Sequence, residues 1–271
     1  MKQMLLISIL LVFMGCSYDE EIIDIPIKEK RFLAIEAYLT NNRKIEMTVI
    51  HNILLTDELV LKPVWYADVN IMTNKKDYPL LNLPYTRSSD QRFINYVSAK
   101  EVMFDKGEIT LSINYKDSLF LTSETTVLSP IKLDSIYFGS DQRVGFYFER
   151  GEDSDYYKTL AYLYVRDSVL VFSKTHYVGK ELKRVEINEK IERLIEADSS
   201  SFILSKISKD HYLYEQSVRN AYLANIEPTV KADTIYSNIE NGKGIFTFFA
   251  NDTISINYSV KDLKNQTVTH K

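Results

Sequence analysis

The chain has 271 residues, a formal charge of −4, 45% hydrophobic residues and one cysteine, which suits two domains or one large β domain at roughly 100–200 residues per domain. The acidic balance offers no basic field and excludes nucleic acid and anionic lipid as partners, while a lone cysteine excludes a disulfide framework. Tyrosine (19) and phenylalanine (13) are abundant and glycine (8) and proline (6) scarce, a bias towards ordered β-strands.

Taken in chain order, Lys2 precedes the apolar run Met4 to Met14, which is short of the ~20 residues of a spanning helix and suits a signal-peptide core. Gly15 and Cys16 close the run. A small residue before cysteine resembles the lipobox of bacterial lipoproteins. That resemblance implies cleavage between Gly15 and Cys16, lipidation of Cys16 and a mature chain of 256 residues. Phe13 and Met14 depart from the commonest lipobox, which has leucine and a small residue there; the alternative is a buried apolar helix with an inert cysteine. Asp19, Glu20 and Glu21 then form an acidic run that cannot pack, so 16–31 reads as a solvated tether. Its charge resembles the signal that sends many Bacteroidetes lipoproteins to the cell surface rather than the periplasmic face of the outer membrane. A plain soluble linker is the alternative.

From Phe32 the pattern alternates. Leu33, Ile35, Ala37 and Leu39 fall on one face, Asn41-Asn42 tolerates positive φ, and Ile45, Met47 and Val49 resume, so 32–50 predicts a hairpin. The stretch between Ile50 and Ala67 carries Leu54, Leu55, Leu59, Val60, Leu61, Val64 and Trp65 with few turn residues. It is expected to fold onto the core; the alternative is a ligand or partner face at Trp65 and Tyr66. Strands are predicted around Val69–Ile71, Tyr78–Leu81, Phe93–Ser98, Ile109–Tyr115 and Leu119–Val127. About seven short strands make residues 32–130 an immunoglobulin-like or transthyretin-like sandwich.

A second β domain is expected over 131–260, with strands at Leu133–Phe138, Val144–Arg150, Tyr156–Val165, Val169–Thr175 and Phe202–Ile207. Residues 180–197 fit helix and strand equally and stay unassigned. Ser208 is a good N-cap for a helix over 209–224, whose sheet-facing side is predicted as Tyr214, Val218, Ala221 and Tyr222. Two separate strands, Ile245–Phe249 and Ile254–Val260, and a frayed tail at 261–271 complete the chain. The fold class is therefore mostly β: two consecutive sandwiches, the second carrying one α-helix, behind a lipoprotein signal. No repeat of 20–50 residues is evident.

Signatures of catalysis are sparse, so no catalytic residue, metal ligand or cofactor is assigned. His51, His176, His211 and His270 form no zinc-protease pair, no glycine-flanked serine makes a nucleophile elbow, and Gly242 and Gly244 lack a phosphate-loop context. His211 reads as a surface or interfacial residue. Glu152, Asp153 and Asp155 read as a solvated turn, with a calcium loop as the weaker alternative. Five tripeptides begin with Asp followed by Ser118, Ser135, Ser168, Thr234 or Thr253 and then an aliphatic residue. They resemble the O-glycosylation sequon of exported Bacteroidetes proteins, although a turn entering a strand generates the same pattern.

Four stretches together resemble a Bacteroidetes lipoprotein family known as a domain of unknown function. They are Leu33 to Asn41, Lys132 to Ile136, Asp155-Tyr156-Tyr157, and Tyr236 to Phe246; Ala37 and Tyr38 stand where the family favours glycine and tryptophan. The family is met beside TonB-dependent receptors. This implies a non-enzymatic outer-membrane lipoprotein that assists such a receptor or captures its ligand. The alternatives are a pilus or adhesin subunit assembled by strand addition, to which Lys30-Arg31 offers a cleavage point, and an enzyme with an unrecognised site.

Overall fold

The computed structural model describes residues 31–271 apart from 54–59, 89, 117–118, 140, 228, 230, 232–233, 258–262, 264 and 270–271. The opening alternation becomes a hairpin in which β1 (Leu33–Leu39) and β2 (Arg43–His51) pair antiparallel, with Asn42 at a φ of 60° in the turn. Short β3 (Lys62–Pro63) pairs with the end of β2. There follow β4 (Asp68–Thr73), β5 (Asp77–Thr86), β6 (Phe93–Val102), β7 (Glu108–Tyr115) and β8 (Leu119–Thr126). The first residues of β5 pair with β4 and the remainder with β6. It thus turns the corner that lays β4, β7 and β8 over β1, β2 and β6 and closes the first core, around Ile35, Met47, Tyr96 and Leu111.

The second half supplies β9 (Leu133–Phe138), β10 (Arg143–Glu149), β11 (Tyr156–Val165), β12 (Ser168–Tyr177) and β13 (Arg184–Lys190). After a 3-10 turn at Leu194–Glu196 come β14 (Ser199–Ile207), the helix α1 (Lys209–Ile226), β15 (Lys243–Ile256) and β16 (Gln266–Thr269). A four-stranded sheet, β13-β10-β9-β16, faces β11, β14 and the end of β15 across a second core of Phe138, Phe146, Phe202 and Leu204. The protein is mostly β with one helix, and residues 31–271 form a single compact unit.

The long sheet runs β12-β11-β14-β15-β1-β2-β6-β5-β4-β7-β8. Its hinge is β15. Phe246 and Phe248 lie in the first core, while Ile254 and Ile256, on the same face, lie in the second. One 14-residue strand thus replaces the two expected around a break at Asn251-Asp252. Asp252 does not interrupt it, because its carboxylate accepts the Leu133 amide at 2.8 Å and ties β9 to the sheet. The start of β15, expected in the second sandwich, instead pairs parallel with β1 of the first. Gly244 permits this. A β-carbon there would stand 1.9 Å from the Ile35 carbonyl oxygen, and its φ is 120°.

Three further expectations are corrected. The unassigned stretch contains β13 and the 3-10 turn, with Val185, Ile187, Ile191 and Leu194 buried. The tail is not wholly frayed, since β16 pairs with β9. On α1 the predicted inner side holds only in part: Tyr214 reaches Glu36 of β1, but Val218 and Tyr222 are exposed, and the buried residue is His211. The helix docks through polar groups, which hydrophobic periodicity does not register.

Candidate functional site

Residues that alternate with the core on β1 and β11 form an outer face. Glu36 and Tyr38 intervene between buried Ile35, Ala37 and Leu39, and Lys158, Leu160 and Tyr162 between buried Tyr157, Ala161 and Leu163. Helix α1 lies on this face. Ser208 caps it, its Oγ accepting the His211 amide at 3.1 Å and lying 3.0 Å from Oγ1 of the fully buried Thr247. The sheet thereby fixes the cap, and the cap sets the first turn. Lys158 Nζ donates to Glu215 at 2.8 Å, Tyr214 donates to Glu36 at 2.8 Å, and Gln216 donates to Thr175 at 2.7 Å.

Opposite the helix, the turn between β5 and β6 forms a second wall. Arg87 binds Glu46 and Asp90, each at 2.5 Å, and Arg92 places its guanidinium carbon 4.6 Å from the Tyr38 ring centre. Between the walls is a cleft of about 520 Å³ lined by Tyr38, Arg87, Arg92, Lys158, His211 and Glu215 among others. The His211 ring lies 5.2 Å from that of Tyr38. His211 is only 3% exposed; its Nε2 faces Glu215 Oε1 at 3.4 Å, and its Nδ1 has no hydrogen-bond partner among the described residues.

The electrostatics follow from this packing. Burial pushes His211 below the ordinary imidazole value, with the nearby Glu215 only partly opposing it. For Glu215 burial pushes the carboxyl upward, but His211 and Lys158 outweigh it and bring the pKa down to about 2. Burial and Glu36 push the Tyr38 and Tyr214 phenols upward. At neutral pH the cleft therefore presents a neutral imidazole, neutral phenols and fixed ion pairs. These groups suit hydrogen-bonded recognition of a polar ligand.

Apart from His211, the residues singled out from sequence lie elsewhere. Gly15, Cys16, Ser118 and His270 fall outside the described residues. Trp65 and Tyr66 are 42% and 93% exposed, so this pair is not core; Val60 and Leu61 are exposed too, while Val64 is buried. Leu54, Leu55 and Leu59 lie outside the described residues. Ser135 sits in β9 and Thr253 in β15, both half-buried, whereas Ser168 and Thr234 are exposed. Asp153 accepts from the fully buried Lys206 at 2.7 Å, and Asp155 pairs with Arg150, so both acids serve as counter-ions. His211, expected as a surface or interfacial residue, is buried between α1 and the sheet. The one sequence signal for the cleft is the spacing of His211 and Glu215, four apart on one helix face.

A family model described as Domain of unknown function (DUF4249) matches residues 19–255. The chain belongs to that family. No curated protein matches. Among solved structures, a chain titled as a cytokine receptor complex is similar at 7% identity and a TM-score of 0.25, covering 84% of this chain and 99% of its own. The chicken CNTN1 FN1-FN3 domains are similar at 9% identity and a TM-score of 0.26, covering 83% of this chain and 66% of theirs. In this DUF4249 chain the stretch from Tyr236 to Phe246 has a clear structural task. Asn238 exchanges two hydrogen bonds with the Phe246 backbone at 2.8 and 3.0 Å, and Ser237 Oγ accepts the Gly244 amide at 3.1 Å, setting the entry to β15.

Proposed function

We propose that this DUF4249 chain is a non-catalytic lipoprotein of the outer membrane, anchored through Cys16, that captures a polar ligand for a TonB-dependent receptor in the cleft between α1 and the β5–β6 turn. The observation that carries the binding half of this reading is buried His211, which lines the cleft with its Nδ1 unpartnered among the described residues. Buried polar groups without partners are rare, and a bound molecule is one means of satisfying them. Binding is favoured over acid–base chemistry at this helix because Glu215 is held near 2 and the Tyr38 and Tyr214 phenols are pushed upward, away from neutral pH.

The reading is tested by purifying the full chain with its native membrane partners. A co-purifying receptor barrel supports it, whereas a ladder of self-multimers supports a pilus subunit. Lys158→Ala and Tyr38→Ala reduce capture if the cleft is the site. Cys16→Ala should leave an unlipidated protein absent from outer membranes and from the detergent phase, because each buried acyl methylene contributes ~0.8 kcal/mol. Unchanged partitioning excludes the anchor.

A further inference from the structure

One end of the first sandwich gathers chain entry, cations and exposed aromatic groups. The Phe32 amide donates to Asn52 Oδ1 at 2.8 Å, so the residues preceding β1 arrive beside the end of β2. His51, the last residue of β2, pairs with Lys62 of β3, and its ring lies 5.7 Å from that of Tyr115. Lys116 sits over Tyr115, its Nζ 4.9 Å from the ring centre. Arg31, Lys62 and Lys116 thus converge around His51, whose pKa is lowered by its partial burial and then by these three cations. Just past β3 stand Trp65 and Tyr66, next to exposed Val60 and Leu61. Tyr66 is held at a φ of 61° with 93% of its surface exposed, a left-handed conformation that is uncommon for a non-glycine residue. The turn is held from the core, where Tyr96 Oη accepts the Ala67 amide at 2.9 Å and donates to the Val64 carbonyl at 3.2 Å, so Tyr66 is presented outward on a fixed loop.

We propose that this end of the sandwich, where Trp65 and Tyr66 stand exposed just past β3 and Arg31, Lys62 and Lys116 gather around His51, docks on the lipid surface that carries the Cys16 anchor. Three features select a bilayer. Trp and Tyr seat at the boundary between headgroups and acyl chains. Cations beside them attract anionic headgroups. The third is where the chain enters. Fifteen residue steps separate Cys16 from Arg31, at most about 54 Å even fully extended, so the anchor delivers this end to the bilayer at high effective concentration. This reverses the exclusion of anionic lipid drawn from the net charge of −4, which averages over a surface on which these cations are clustered. The proposal rests on the Cys16 anchor. It also leaves the cleft between α1 and the β5–β6 turn free for a ligand.

The test supplies the anchor chemically, so that it does not depend on lipidation in cells. Residues 16–271, which include the whole compact unit 31–271, are coupled through Cys16, the only cysteine, to a maleimide phospholipid in vesicles of phosphatidylcholine with or without phosphatidylglycerol. Trp65 is the only tryptophan, so its emission reports on this end alone. Docking shifts that emission to the blue and allows lipids brominated in the acyl chain to quench it, more strongly when phosphatidylglycerol is present. Tyr66→Ser and Lys116→Glu, both on exposed positions, reduce quenching at unchanged melting temperature. Emission and quenching that stay unchanged on coupling to both kinds of vesicle overturn the proposal, as does a blue shift that appears only when a solubilised receptor is added. Failure of Cys16→Ala to alter partitioning in cells would instead overturn the anchor, a separately readable result.

Discussion

His176 is a half-buried imidazole whose Nε2 lies 2.9 Å from Thr159 Oγ1 and 3.3 Å from Glu189. Burial, with a smaller contribution from Lys174, lowers its pKa to about 4. The folded protein therefore binds this proton less readily than the unfolded chain. A group lowered in this way contributes stability that is present above about 6.5, its unfolded value, and is lost as pH falls from there towards about 4. Glu215 adds a second, lower window, losing its contribution from about 4.5 towards about 2. Melting temperature should then decline on acidification below about pH 6.5. His176→Gln should flatten the upper part of that decline and Glu215→Gln the lower part, as thermal scans at stepped pH would show. Trp65 is also decided at this scale. Because it is 42% exposed, Trp65→Ala should cost under about 1 kcal/mol rather than the ~3–5 kcal/mol of a core cavity, and chemical denaturation distinguishes the two.

Most strands with one apolar and one polar face were legible from sequence; β13 alternates too, but stayed unassigned because its surroundings also fit a helix. Leu33, Ile35, Ala37 and Leu39 could be assigned to the core because each is flanked by a residue that reaches the outer face. Helix α1 was legible only in part. Its start follows from Ser208, whose side chain accepts the His211 amide, but its inner side does not follow from hydrophobicity, because the contacts are Lys158–Glu215, Tyr214–Glu36 and Gln216–Thr175. The candidate cleft was missed for the same reason: its lining is polar, and Tyr38, Arg92, Lys158 and His211 meet from four separate parts of the chain. Ser208→Ala removes both the cap and the contact with Thr247. It should cost ~1 kcal/mol and lower the melting temperature by about 2–4 °C in a chain of this size. A cap confined to the helix gives only that loss; one that also sets His211 in the cleft weakens ligand capture as well, and Ser208→Asn, which can still cap, should restore most of both.

At the scale of the molecule, the two cores share β15. Along 14 residues the strand pairs parallel with β1 at one end and antiparallel with β14 at the other, and the same face sends Phe246 to the first core and Ile254 to the second. Asp252 fastens the partner sheet of the second core to that strand through the Leu133 amide. Losing either core therefore exposes half of a strand whose other half closes the second. That coupling predicts a single cooperative transition for residues 31–271 rather than one for each core. Phe246→Ala and Phe202→Ala, placed in different cores, should each cost ~3–5 kcal/mol and shift the same transition, with near-ultraviolet and far-ultraviolet signals moving together. Two resolved transitions, each sensitive to only one of the substitutions, would show that β15 joins the cores in space without coupling them in free energy.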